Sequence, residues 1–138
     1  MAYLKPTPTT EQNKLVGKVS DGQSVKLAVP AKVKATGTTN DGVTNGILTW
    51  TAVEAGLDGN GITIVQEKAG FNTPLSIVVS EKTITIALAT GADPGAVTTT
   101  AAALKTAIEA KAEAAALVTV AYSGNGTGLC IDCSEVLA

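Results

Sequence analysis

A chain of 138 residues has the length of one compact domain, enough to bury roughly two thirds of the surface its unfolded form exposes. Apolar residues make up 45% of it but aromatics only 3%, so the expected core is built of Ala, Val, Ile and Leu, with Trp50 and Phe71 as its large members. All ten basic residues are lysines, histidine and arginine are absent and the net charge is −2, which removes the usual neutral-pH proton shuttle, the planar fork that grips anions, and the concentrated positive charge of a nucleic-acid or anionic-membrane surface.

The opening MAYLKPTPTTEQNK has no signal-peptide apolar segment, and no apolar run in the chain approaches the ~20 residues that span a bilayer. The expectation is a soluble chain made in the cytosol. Residues 1–14, with two prolines and little apolar content, read as an extended N-terminal arm, and residues 15–138 as a single β-rich domain. Such an arm is either disordered in a monomer or laid across a neighbouring subunit.

Val25, Leu27 and Val29 alternate with Ser24, Lys26 and Ala28, the period of a half-buried strand, between the turn at Asp21-Gly22 and Pro30. TGTTNDGVTNG then carries two turn dipeptides, Asp41-Gly42 and Asn45-Gly46, and reads as a surface loop or short hairpin. Four strands follow in quick succession: 47–52, 62–67, then Leu75, Ile77 and Val79 on one face of a third, and Ile84, Ile86 and Leu88 on one face of a fourth. Glu81-Lys82 is the hairpin tip between the last two. The simplest arrangement is an antiparallel meander.

After Gly91-Ala92-Asp93-Pro94-Gly95 the period lengthens, because Leu104, Ile108, Ala112 and Ala115 recur every three or four residues. One helix is predicted near 99–115, started by a threonine that accepts unpaired backbone N–H groups and carrying Lys105, Glu109 and Glu113 on its solvated face. Strands at 117–122 and 129–131 complete the chain around a turn at 123–128. The fold class is α+β, a mostly antiparallel sheet of about six to eight strands, sandwich- or barrel-like, with one helix packed on it.

The only metal-like or redox-like motif is Cys130-Ile131-Asp132-Cys133. Two cysteines so close together are too few to staple a secreted fold. A structural zinc site needs four ligands, and a thioredoxin-like dithiol needs its first cysteine at a helix N-terminus rather than beyond a strand. Three readings stand: small apolar residues or a local disulfide, a metal shared between subunits, or a redox pair. The glycine-rich runs Gly56-Leu57-Asp58-Gly59-Asn60-Gly61 and Ser123 to Gly128 lack the strand-to-helix setting of a phosphate loop. They read as turns, with Gly56, Gly59, Asn60 and Gly61 as structural residues and Gly59-Asn60-Gly61 supplying positive φ. Asp41, Asp58 and Asp93 belong to no calcium-binding ladder and read as turn residues. No catalytic residue, cofactor, metal or small-molecule substrate is expected. Two other classes fit the composition less well: an adhesion or carbohydrate-binding module contacting ligand through Trp50, Tyr122 or Tyr3, and a hydrolase using paired carboxylates.

The runs TAVEAGLDGNGITIVQ, PLSIVVSEKTITIALAT and TTTAAALKTAIEAKAEAAALVTVAYSGNGTG, spanning 51–128, resemble a module of tailed-bacteriophage virion proteins. In that module an Ala-Gly-x-x-Gly-Asn turn introduces a strand, a hairpin follows, and a Thr-Ala-rich helix leads to a Leu-Val strand. Ala55-Gly56, Gly59-Asn60, Thr100-Ala101 and Leu117-Val118 stand at the matching positions. The resemblance implies a virion structural protein, by size a capsid decoration or cement protein that binds itself and the major capsid protein, with a tail-tube or tail-associated protein as the alternative. A contractile sheath subunit is much larger.

Overall fold

Short alternating stretches become strands, and one Ala-rich stretch becomes helix. The computed structural model describes residues 30–92 and 95–138. In chain order the elements are β1 (Lys34–Thr39), β2 (Leu48–Ala55), a 3-10 turn (Gly56–Asp58), β3 (Thr63–Lys68), β4 (Ser76–Ser80), β5 (Thr83–Leu88), α1 (Ala101–Ala110), α2 (Ala112–Leu117), β6 (Val118–Tyr122) and β7 (Cys133–Val136). The α+β class holds: the seven strands among the described residues form two mostly antiparallel sheets, accompanied by helix. The N-terminal arm, the strand expected at 24–29 and Asp93 lie outside the described residues.

The sheets are ordered β1-β2-β6 and β4-β5-β3-β7. Every pairing is antiparallel except β3 with β5, which run parallel. A simple meander is therefore not what forms: β2 and β3 lie in different sheets, and the β4–β5 hairpin folds so that β5 is inserted between β4 and β3. The sheets meet along one side, where Thr36 N–H donates to the Ala138 carbonyl at 3.1 Å and Ala138 N–H returns a bond to the Thr36 carbonyl at 3.3 Å.

Alternation fixes what each strand buries. In β5 Ile84, Ile86 and Leu88 are buried while Thr83, Thr85 and Ala87 are half-exposed. In β2 Leu48, Trp50 and Ala52 turn inward, and Leu104 and Ile108 of α1 join them in one core with Ile62, Ile64, Val118 and Val120. Full burial of an aliphatic side chain contributes about 1.5–3 kcal/mol, so this cluster is the main source of stability. Phe71, expected there, is instead 63% exposed on the loop before β4.

Thr100 caps α1, its side chain accepting from Ala103 N–H at 3.2 Å, and Lys105 pairs with Glu109 one turn later. The single helix predicted over 99–115 is interrupted at Lys111, whose backbone is extended (φ −90°, ψ 101°) and whose N–H closes α1 on the carbonyls of Ala107 and Ile108. That break rotates the second piece, so Ala114 is buried while Ala112 is exposed and Ala115 half-buried. Thr36 to Thr39, expected as loop or short hairpin, belong to β1, in which Ala35 is the one apolar residue buried in the core. The last strand is Cys133–Val136 rather than 129–131. Leu129 makes only an isolated bridge with Thr100, and pairing with β3 begins at Cys133.

Candidate functional site

The two sheets are pinned together by a buried polar chain that the sequence reading did not anticipate. Gln66 occupies an inward position of β3, in line with Ile62 and Ile64, and is 2% exposed. Its Oε1 accepts from Thr39 Oγ1 at 2.7 Å, and that hydroxyl accepts from Trp50 Nε1–H at 2.9 Å. Gln66 Nε2 donates to Asn40 Oδ1 at 2.9 Å and to the Ile131 carbonyl at 3.2 Å. Asn40 then donates from Nδ2 to the Gly46 carbonyl at 3.0 Å and accepts from Ile131 N–H at 3.2 Å. Among the described residues no buried side-chain N or O lacks a partner. A polar chain so completely satisfied specifies packing and offers no free group to a substrate. The signal for it in the sequence was a glutamine in phase with buried isoleucines.

Trp50 is fully buried in this chain, so it cannot form the ligand-contacting surface of a carbohydrate-binding module. Tyr122 is exposed, and Tyr3 lies outside the described residues.

Cys130 and Cys133 are free thiols, the first buried and the second half-buried, both beside Asn40. Cys133 Sγ lies 3.9 Å from Asn40 Oδ1 and 3.5 Å from the Ile131 carbonyl. Burial raises both thiol pKa values above the ordinary 9.0, against the opposing hydrogen bond to Asn40. Thiols held protonated are weak nucleophiles and poor metal ligands. Asp132 between them is engaged, its carboxylate accepting from Lys68 N–H. Among the described residues no group of three or more Cys, Asp or Glu is placed to hold a metal ion.

In the 56–61 turn the positive φ angles fall at other residues than the sequence suggested. Gly56 and Gly61 have φ of +81° and +77°, the left-handed region open to glycine, whereas Gly59 is right-handed at −84°. Gly59 is needed for closeness: a Cβ there would lie 2.2 Å from the Glu54 carbonyl oxygen. Lys82 Nζ donates to the carbonyls of Leu57 and Asn60 at 3.3 and 3.1 Å, tying the turn to the β4–β5 hairpin. Asp41 and Asp58 are exposed.

What remains open is an edge. β4 ends the four-stranded sheet, and residues 75–80 make no hydrogen bond other than those to β5 among the described residues. Its sequence, Ser-Ile-Val-Val-Ser, has no charge and no proline, and Val78 is 61% exposed. Natural edges are usually blunted by lysine, proline or a bulge. On the core side of this edge an open groove of about 310 Å³ is lined by Leu75 and Ile77 with Ala107, Ala110 and Lys111. A larger depression of about 580 Å³ lies at Cys130, lined by Val97, Leu129 and Ile131 together with Lys68 and Asp132. Among the described residues no helix is long and apolar enough to cross a membrane. No protein-family model, no curated protein and no solved structure matches this chain.

Proposed function

We propose that this chain is a non-enzymatic structural subunit of a tailed-phage virion, a decoration protein that binds the outer capsid shell and other copies of itself. The observation that carries the reading is the uncharged β4 edge, which among the described residues pairs only with β5. An exposed edge of this kind serves main-chain pairing with another chain. The order of turn, strand, hairpin, helix and strand from Thr51 to Gly128 supports it, being the order of the virion module this stretch resembles. The exposed apolar side chains Phe71, Val78 and Leu57 are suited to contact surfaces.

The test is electron microscopy of purified particles carrying this chain, with and without its gene product. Density for the chain on the outer shell, lost when the product is withheld, is the expected result. Density confined to a tail, or none on any particle, overturns the assignment to the shell.

A further inference from the structure

The backbone directions of β4 follow from its neighbours. Thr63 N–H donates to the Lys82 carbonyl at 2.8 Å and Ala69 N–H to the Leu88 carbonyl at 3.4 Å. Even-numbered residues of β5 therefore turn their backbone groups toward β3, and Thr83, Thr85 and Ala87 turn theirs toward β4. Their partners there are Ser80, Val78 and Ser76. By the alternation of a strand, the N–H and C=O of Ile77 and Val79 point away from β5, and among the described residues nothing pairs with them.

The edge is also symmetric in sequence about its middle residue. Ser76 and Ser80 flank Ile77 and Val79, which flank Val78. Laid antiparallel on a second copy of itself, this strand opposes serine to serine, isoleucine to valine, and Val78 to Val78. Ile77 and the second copy's Val79 then become mutually hydrogen-bonded pairs, using the groups that point outward. Val78 falls at a non-hydrogen-bonded position, where opposed side chains come closest. No like charges meet, and the two groove-side faces, Ile77 and Val79, continue one another while the added strand closes the groove beside Leu75 and Ala107.

β6, one edge of the other sheet, lacks this symmetry: about Val120, Val118 would oppose Tyr122. The turn after it also folds back closely, since a Cβ on Gly126 would lie 2.8 Å from the Tyr122 ring.

We propose that two copies of this chain join through β4, antiparallel about a two-fold axis at Val78, so that their four-stranded sheets become one continuous sheet. This deepens the self-assembling reading above and rests on it. A closed two-fold contact of this kind uses the same patch on both copies and stops at a dimer at this surface.

The test is cysteine cross-linking in the full chain, with the unsubstituted chain as the blank for Cys130 and Cys133. A non-hydrogen-bonded antiparallel pair places Cα atoms about 4.5 Å apart, within the range a disulfide spans. Val78→Cys is expected to give a disulfide-linked dimer on mild oxidation at least ~10-fold faster than Ser76→Cys or Ser80→Cys, because each serine faces the other kind of position rather than itself. Val78→Lys, which sets like charges opposite each other, is expected to raise the dimer dissociation constant at least ~10-fold in sedimentation equilibrium. Val78 is exposed, so both variants should keep the native circular dichroism spectrum. Equal cross-linking at 76, 78 and 80, or an unchanged dissociation constant in Val78→Lys, overturns the β4 contact. If the unsubstituted chain still forms oligomers or binds shells, the virion reading stands without it. A chain that is monomeric at all concentrations and indifferent to capsids overturns both.

Discussion

Asn40→Ala tests whether the buried polar chain holds the two sheets together. Asn40 is 1% exposed and left-handed at φ +60°, so alanine there meets two penalties at once. The conformational one is about 1–2 kcal/mol for a residue with a Cβ in this region. Loss of the amide strips the Gly46 carbonyl, on a buried residue, of its partner, at about 1–3 kcal/mol, and takes one of two bonds from Gln66 Nε2, at about 0.5–1.5 kcal/mol. Ile131 N–H, on an exposed residue, can turn to water. The expected loss is about 3–5 kcal/mol. With a urea dependence of about 1.5 kcal/mol per molar, the unfolding midpoint falls by about 2–3 M. Trp50, the only tryptophan and itself a member of the chain, reports the transition by fluorescence. Asn40→Gly separates the two penalties: it removes the strain and keeps the lost bonds, so it should be about 1 kcal/mol more stable than the alanine variant. A loss below ~1 kcal/mol for Asn40→Gly refutes the structural role of this network, and no difference between the variants refutes the strain.

Three further outcomes follow from the same structure. Glu81, the first residue of the β4–β5 turn, has φ +52°, so Glu81→Gly should relieve about 1–2 kcal/mol of strain against about 0.5–1 of added chain entropy and raise the melting temperature slightly. A lower melting temperature would show that the glutamate side chain contributes something the geometry does not display. Trp50→Ala should cost about 3–5 kcal/mol and disrupt folding in circular dichroism rather than remove a surface contact. Retention of full stability would contradict its burial. Cys130 and Cys133 are held as neutral thiols by burial, which raises their folded pKa values. Their contribution to stability is present in full below the ordinary thiol value of about 9.0 and is lost as pH rises through the raised folded values, because only the unfolded chain ionises them freely. Urea titrations should therefore show stability falling above about pH 9 more steeply in the unsubstituted chain than in Cys130→Ala. Parallel curves would show that the Cys130 thiol contributes nothing to the alkaline loss.

The parts of the fold that were legible are those where one residue's neighbours decide its state. Ile84, Ile86 and Leu88 alternate with Thr83, Thr85 and Ala87, and Thr100 stands where a helix needs a cap, so β5 and the start of α1 could be read directly. β1 could not, because Lys-Ala-Thr-Gly-Thr-Thr becomes strand by its register on β2, Gly37 opposite Trp50 and Thr39 opposite Leu48. β7 is similar. Leu129-Cys130-Ile131 carries the apolar run, yet Cys133 to Val136 is the segment that reaches β3, pairing Cys133 with Gln66. The helix break at Lys111 likewise has no signal in the alanines on either side. Of the candidate surface, the residues of β4 were placed correctly as a strand. Its position at a sheet edge depends on the parallel β3–β5 pairing, which no local pattern announces.

These two levels meet at β4. Thr39, Asn40, Gln66 and Trp50 fix how one sheet sits on the other, and the Ile86 and Ile84 pairings opposite Ile77 and Val79 fix β4 against that frame. The outward N–H and C=O groups of Ile77 and Val79 are therefore already in strand geometry before any partner arrives. Ordering a flexible segment on binding costs about 1–2 kcal/mol per residue of backbone entropy, and an edge held in place avoids most of that cost. A preformed edge with no charge to repel a second copy favours pairing. The same edge left uncovered would be an aggregation hazard. The absence of a lysine or proline between Ser76 and Ser80 is what the proposed pairing of β4 with a second copy requires.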